Sequence, residues 1–232
     1  MHEYKLYTPI SCLMIVVILS CDALAFKTVN LFGHPLAASG LIFPLSFILI
    51  SILAEVYGYA KSGRIIVTQL LCSFIFIGIV NVLVLLNHAS TIDSSYYLIY
   101  HSFWRVILGT LAGTPLAYFF TTMVLSRIKV TFANPFIFRF LVSNIVGKFL
   151  LVSITYPINF YHLHSVGFII SLILNTWLFK SCIAIIFAPI VLVLSAWVKR
   201  IEKLDTFDYG VSYNPANIFE EKQSGENLYH AK

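Results

Sequence analysis

Residues 43–64 read FPLSFILISILAEVYGYAKSGR. The apolar part of this stretch ends in an acid, Glu55, and the chain then passes through the aromatic-glycine turn Tyr57-Gly58-Tyr59 into a basic segment. Such an apolar run predicts a membrane-spanning helix, and a carboxyl group in lipid is costly unless a polar cavity or a partner receives it. The stretch therefore predicts a membrane protein and marks Glu55 as a candidate functional group.

The composition of the whole chain excludes an ordinary soluble protein. Of its 232 residues, 59% are hydrophobic and 11% are charged, whereas soluble domains carry about a quarter charged residues. The net charge of +5 does not indicate nucleic-acid binding, because the Lys and Arg residues fall mainly in short connectors, where they act as topology signals. The four cysteines show no CxxC spacing and indicate neither a disulfide framework nor a zinc site.

Six continuous apolar runs are each long enough to supply the roughly 20 helical residues that cross a hydrocarbon core. They predict an all-α integral membrane protein, a six-transmembrane-helix bundle in residues 1–204, followed by a polar cytoplasmic tail in residues 205–232. Continuous runs of this length exclude a membrane barrel of alternating strands. The predicted spans are residues 8–27, 36–55, 64–87, 98–126, 136–160 and 167–198.

The basic residues predict the orientation of these spans. The connectors that begin at Val56 and Arg127 contain Lys and Arg, while those around Asp93 and His162 contain neither. By the positive-inside rule, the basic connectors and both termini face the cytoplasm of a bacterial inner membrane. An alternative is that residues 8–25 form a signal peptide, whose cleavage would leave five helices.

Ionisable side chains inside the apolar runs are the candidate substrate-binding residues. A charge at mid-bilayer costs about 3 kcal/mol or more unless it faces a polar cavity or a partner. A shared cavity is the preferred interpretation, and structural ion pairs, interfacial placement of the acids and snorkelling of the arginine are the alternatives. The candidates, with one buried amide added, are Asp22, Glu55, Arg105, Asn144, Lys148 and Lys180.

Motifs of soluble enzymes are missing from the sequence. It contains no GxxxxGK[ST] phosphate loop, no HExxH and no nucleophile elbow, so we expect no enzyme activity and no cofactor. His162 and His164 form an HxH, but without a third ligand nearby they are more typical of interfacial histidines than of a metal site.

Residues 43–64 resemble the second-helix signature of the vitamin-uptake-transporter-like family of queuosine-precursor transporters. The likeness lies in the FPL triplet from Phe43, the EVYGY segment from Glu55, and Arg64. It extends over nearly the whole chain, into the fourth helix, the fifth helix, the sixth helix and the tail. The matching residues there are Arg105, Gly109 and Thr110; Arg139, Ser143 and Gly147; Lys180 and Pro189; and Asp208-Tyr209-Gly210 with Asn214-Pro215.

This resemblance implies a carrier in the lipid bilayer that imports a purine-like 7-deazaguanine, such as preQ0, preQ1 or queuine, by alternating access. Arg105 and Lys180 would then donate to ring acceptors, and Lys148 would balance the charge of the site. Asp22 or Glu55 would accept from N–H groups of the base.

The chain departs from the family pattern at several polar positions. The family usually carries an acid where this chain has Ser51, Leu151 and Ala184. Asp22 stands where the family usually has Asn, which is consistent with an acceptor that has moved from the fifth helix to the first. The identity of the substrate is therefore the least transferable part of the resemblance.

Two other classes of function stay open. One is a substrate-binding subunit of an energy-coupling transporter, or a carrier for another small heterocycle; the first helix lacks the AxxxA spacing of such subunits. The other is a non-transporting structural membrane protein, in which the buried charges would only pair helices. Self-association into a homo-oligomer also stays open.

Overall fold

The computed structural model describes residues 4–31, 33–85, 97–101, 103–132, 135–161, 163–220 and 225–229. The connector around Asp93, and His162 itself, lie outside these ranges. The chain forms a bundle of apolar helices, which confirms the predicted all-α membrane fold. The helices are α1 (Tyr7–Ala23), α2 (Ser39–Ile42), α3 (Pro44–Tyr57), α4 (Tyr59–Val84), α5 (Trp104–Thr131), α6 (Phe136–Phe160) and α7 (Val166–Glu202).

Within the described ranges, five helical stretches are long and apolar enough to cross a membrane, and α2 with α3 forms one of them, Ser39–Tyr57. α1 is also apolar but shorter, at 17 residues. At 1.5 Å per residue it spans about 25 Å, somewhat less than the roughly 30 Å of a hydrocarbon core. The protein is thus a multi-pass membrane protein, and the sixth crossing, through α1, stays a prediction.

A short β-hairpin replaces the predicted end of the first span and start of the second. β1 (Thr28–Leu31) pairs antiparallel with β2 (His34–Ala37). The turn between them contains Gly33 at φ 81°, a backbone conformation that glycine adopts without steric cost. The helix predicted to reach residue 27 therefore ends at Ala23, and the end of the bundle beside this hairpin is called the hairpin end.

Two local signals shape the second crossing. Pro44 occupies the first turn of α3, a position where its missing N–H costs no hydrogen bond. Gly58, at φ 84° and ψ 176°, separates α3 from α4. The break predicted at the aromatic-glycine turn is therefore present, and it redirects the chain at the opposite end of the bundle.

The start of α1 and the end of α7 meet at that opposite end. The backbone N–H of Leu6 donates to Glu202 Oε1 at 2.5 Å, and the hydroxyl of Tyr57 donates to the same oxygen at 2.9 Å. The beginning of α1, the junction of α3 and α4, and the end of α7 thus share one end of the bundle. This is called the basal end.

The carboxyl-terminal segment packs against the basal end. β3 (Thr206–Phe207) pairs with β4 (Glu226–Asn227), and a single 3-10 turn spans Pro215–Asn217. The side chain of Ile218 is buried in a cluster with Tyr59. Residues 205–218, called the strap here, thus contact the helices closely, although their composition is that of a polar tail.

Candidate functional site

A cavity lies among α1, α5, α6 and α7, toward the hairpin end. Its volume is about 50 Å³, which is room for a few water molecules but not for a two-ring heterocycle. Polar groups of both charge signs together with aromatic rings are typical of sites for small polar ring systems. The lining includes Asp22, Lys180, Thr110, Asn159, Phe43 and Tyr156.

Asp22 supplies the carboxylate of this cavity from the last turn of α1. Its Oδ2 accepts a hydrogen bond from Ser73 Oγ at 2.7 Å, and Oδ1 accepts one from Thr110 Oγ1 at 3.4 Å. Ser73 in turn accepts from Gln69 Nε2 at 3.0 Å. In the part of the chain that the structure describes, the ion pairs involve other acids. Hydroxyl groups, and no cation, therefore hold this buried acid.

Lys180 supplies the cation of the cavity from the middle of α7. Its Nζ lies 4.5 Å from the ring centroid of Phe43 and 5.8 Å from that of Tyr156. Within the described ranges it takes part in no ion pair. Aromatic faces attract a cation electrostatically but offer it no hydrogen-bond acceptor. A ligand with a carbonyl or ring-nitrogen acceptor would supply the hydrogen-bond acceptor that these rings lack.

Lys148 lies next to this cavity on α6. Its Nζ donates to the backbone carbonyl of Lys180 at 3.2 Å and lies 5.4 Å from the ring of Phe47. Asn144, one turn earlier, donates from Nδ2 to Ser51 Oγ and to the Phe140 carbonyl, both at 2.9 Å. Both side chains are fully buried. They contact residues around the cavity and are not part of its lining.

Glu55 lies away from the cavity, at the basal end. Its Oε1 accepts from Arg139 Nη2 at 2.9 Å and from Lys199 Nζ at 2.6 Å, and it lies 3.5 Å from Lys129 Nζ. Lys129 and Lys199 also pair with Asp205 of the strap, at 2.7 and 2.8 Å. These five residues, called the basal ion network, join α3, α5, α6, α7 and the strap.

The strap adds a second acid contact at the same end. Asp208 Oδ2 accepts from the backbone N–H of Tyr59 at 3.0 Å and from Ser126 Oγ at 2.5 Å. Tyr59 is the first residue of α4, so this carboxylate interacts with a helix N-terminus, where negative charge is favourable. Burial nevertheless outweighs these contacts and raises the pKa of Asp208.

Arg105 lies outside the cavity in this conformation. Its Nη1 donates to the backbone carbonyl of Tyr161 at 2.6 Å, and its guanidinium lies 5.4 Å from the ring of Trp104. Tyr161 directly follows α6, so Arg105 binds the carboxyl end of that helix. The structure therefore does not pair Arg105 with Asp22.

The sequence-based candidates thus fall into separate places. Asp22 and Lys180 share the cavity, Lys148 and Asn144 lie beside it, and the remaining two lie at opposite ends of the bundle. Several cavity and network residues were missed, because hydroxyl and amide groups are common in membrane helices and because basic residues near helix ends also signal topology. The missed residues are Ser73, Thr110 and Asn159 at the cavity, and Lys129, Arg139, Lys199 and Asp205 in the basal ion network.

Apolar helices around a cavity of mixed charge define a multi-pass membrane protein with an internal polar site. Within this class, the chain belongs to the family described as "Putative vitamin uptake transporter", whose model matches residues 37–194. The matched range contains Lys148 and Lys180, and Asp22 precedes it. Comparison with curated proteins and with solved structures gives no significant match.

Proposed function

We propose that this protein is a carrier of the bacterial inner membrane that imports a 7-deazaguanine precursor of queuosine, such as preQ0, preQ1 or queuine. Membership of the vitamin uptake family supports transport of a small molecule. The chemistry of the cavity supports a heterocycle that carries both hydrogen-bond donors and acceptors. Import of a heterocycle by such a carrier requires no cofactor.

The observation that carries this proposal is the pair of charges that line one cavity from α1 and α7. Among the described residues, Asp22 accepts hydrogen bonds from hydroxyl groups, and Lys180 lies over aromatic faces without an ion pair. Buried charges without a counterion are expensive and are typical of substrate pathways. A guanine-like edge presents N–H donors for Asp22 and a carbonyl acceptor for Lys180, while Phe43 and Tyr156 offer ring surfaces.

We assign the other candidates supporting roles. Lys148 and Asn144 position the chain beside the cavity through the Lys180 carbonyl and Ser51. Glu55 helps to close the basal end through its ion pairs with Arg139 and Lys199. Arg105 stabilises the end of α6 and would need to leave the Tyr161 carbonyl before it could contact a substrate.

The placement of the polar contacts supports transport by alternating access. The cavity lies toward the hairpin end, while the basal ion network and the strap close the basal end. Import would then require separation of Glu55 from its cationic partners while the hairpin end closes. With both termini in the cytoplasm, as the basic connectors predict, the basal end is the cytoplasmic gate.

The test is uptake by a bacterial strain that depends on an external queuosine precursor. Cells that express the protein should accumulate labelled precursor, and Asp22→Asn should reduce uptake by about tenfold or more because a buried acceptor is lost. Immunoblots of the membrane fraction control for expression. Uptake no higher than with an empty vector would contradict the proposal.

Reconstitution separates the carrier from a subunit of an energy-coupling complex. Purified protein in liposomes should take up the precursor without ATP and without an ATPase partner. Uptake only in cells that supply such a partner would favour the subunit alternative instead.

A further inference from the structure

The side-chain amide of Asn159 lines the cavity without a partner. Asn159 is 7% exposed, and its Oδ1 is buried with no hydrogen-bond partner in the described part of the chain. The amide nitrogen makes no hydrogen bond to any described residue either. A buried polar group of this kind costs about 1–3 kcal/mol when nothing pairs with it, so native proteins usually satisfy it or use it.

Asn144 provides a comparison, because neighbouring residues of the bundle accept hydrogen bonds from its side-chain nitrogen. It also lies on α6, and its nitrogen donates to Ser51 Oγ and to the Phe140 carbonyl, while its Oδ1, like that of Asn159, is buried with no hydrogen-bond partner among the described residues. Asn159 has no such contacts and lies about four helical turns closer to the hairpin end. The difference indicates that Asn159 is free to contact a molecule inside the cavity.

A glycine of α5 makes room for this amide. A Cβ atom at Gly109 would lie closer to Asn159 Oδ1 than real Cβ atoms approach any atom. Gly113, four residues on, lies in the same way against Thr155, a second cavity residue. GxxxG pairs are usually explained by close helix approach; here each glycine also faces a cavity side chain of α6.

We propose that Asn159 is a specificity-determining residue of this site and that it recognises the lactam edge of the substrate. The inference rests on the proposed function, since it assumes that the cavity is the substrate site and that its volume of about 50 Å³ enlarges when substrate enters. An amide offers a donor beside an acceptor, which complements the adjacent C=O and N–H of a lactam ring. Such edges occur in 7-deazaguanines, guanine and pterins, and they are lost in the corresponding O-methyl ethers.

The experiment measures dissociation constants of purified protein for these three lactams and for their O-methyl ethers. Two variants act on the amide: Asn159→Leu removes its hydrogen-bonding groups at nearly constant size, and Gly109→Ala displaces it without changing its chemistry. Gly78→Ala is the matched control, because nothing lies within 4 Å of a Cβ atom at that position of α4. Thermal unfolding of each variant reports on its folding.

We expect the protein to bind its lactam about tenfold or more tightly than the matching ether. Asn159→Leu and Gly109→Ala should both reduce this ratio toward one, and Gly78→Ala should preserve it. Because the readout is a ratio within one variant, a general loss of stability does not imitate the effect. An unchanged ratio in Asn159→Leu would overturn the inference and leave the proposed function intact.

The same set of compounds can also contradict the proposed function while supporting the role of Asn159. Binding of guanine or pterin with the expected ratio, but not of 7-deazaguanine, would contradict the proposed substrate and support the role of Asn159. Binding of no lactam would overturn both.

A double variant tests the part played by Gly109. If its task is to admit the amide, Gly109→Ala should add little to Asn159→Ala, because the smaller side chain leaves space for the new Cβ atom. Additive losses of affinity would show that Gly109 acts through helix approach alone.

Discussion

Buried charges in this protein differ in what surrounds them. Glu55 contacts three cations within 3.5 Å, whereas Asp22 and Lys180 contact hydroxyl groups and aromatic rings. A paired buried charge can be explained by the fold alone, but the desolvation free energy of an unpaired one is not offset by any ion pair within the bundle. The residue-scale predictions follow from this difference.

Replacement of Lys180 by Met should abolish substrate recognition without unfolding the bundle. Met keeps the length of the side chain and its contact with Phe43 but removes the hydrogen-bond donors. We expect uptake to fall about tenfold or more, measured as initial rates corrected for membrane abundance. Arg200→Met, at an exposed position near the end of the same helix, is the control. Unaltered uptake by Lys180→Met would remove Lys180 from the site.

Replacement of Glu55 by Gln should instead lower the stability of the protein and leave substrate binding unchanged. It leaves Lys129, Arg139 and Lys199 with Asp205 as their only acid in the network, and breaking a buried pair costs about 3–5 kcal/mol. We expect a lower unfolding temperature in detergent, while the affinity of the remaining folded protein for substrate stays unchanged.

Glu226→Gln is the control for that measurement, because Glu226 is exposed. A variant at Glu55 that unfolds normally but binds substrate poorly would place Glu55 in the substrate site after all.

The sequence showed how deep in the membrane each charged side chain lies, but not which neighbouring helix it faces. The position of Lys180 within an apolar run shows that it lies far from both surfaces. Which neighbour it faces depends on the rotation of α7, and a helix that is apolar on every side carries no such signal. The partners of Glu55 were hidden for another reason: Asp205 lies 150 positions further along the chain, in a segment whose polarity indicated only a tail.

At the scale of elements, the junction of α3 and α4 depends on one glycine. Gly58 has φ 84° and ψ 176°, a conformation that is essentially restricted to glycine. A Cβ atom there would also approach the side chains of Asp208 and Thr206 within 3 Å. The junction and the strap are therefore mutually dependent.

Gly58→Ala should release the strap and destabilise the protein by about 1–3 kcal/mol. Limited proteolysis within residues 205–218 and thermal unfolding would measure the two effects, with Gly78→Ala as the control at an open position. Resistance to protease equal to that of the wild type would show that the strap holds without this contact.

Element boundaries could be predicted where a residue imposes them. Pro44 and Gly58 restrict the backbone directly, and the chain breaks at both. The hairpin of β1 and β2 was not predicted, because residues 28–35 fell in the connector between two apolar runs and strands of four residues are too short for a periodic pattern to be recognised.

For the whole molecule, the meeting of the start of α1 and the end of α7 at the basal end agrees with an even number of crossings. Reporter fusions after Lys61, Asp93, Lys129 and His164 should alternate between cytoplasm and periplasm, beginning in the cytoplasm. A mature protein that begins at Cys21 or Phe26 would contradict the six-span arrangement, because the first crossing would then be a cleaved signal.

The two strap acids should give the basal end opposite responses to acid. Burial acts to raise the pKa of Asp205, but the ammonium groups of Lys129 and Lys199 outweigh it and lower that pKa below its usual 3.8. Its stabilising effect is therefore complete above about pH 4 and is lost as the pH falls further. The difference in unfolding temperature between wild type and Asp205→Asn should shrink over that range.

Asp208 provides the internal comparison, since burial raises its pKa. Its ionisation costs the folded state stability, so the difference between wild type and Asp208→Asn should move in the other direction as the pH rises past 3.8. Parallel responses of the two variants would contradict the contacts assigned to the strap.

The strap also makes closure of the basal end depend on the translation of Asp205. Lys129, Arg139 and Lys199 are translated before Asp205, and at about 5–20 residues per second the last part of the chain follows within seconds. Until it arrives, three cations share the single carboxylate of Glu55. A nascent chain that stalls before residue 205 would thus be inserted in the membrane yet unlocked at one end, and quality-control proteases could distinguish it from the finished product.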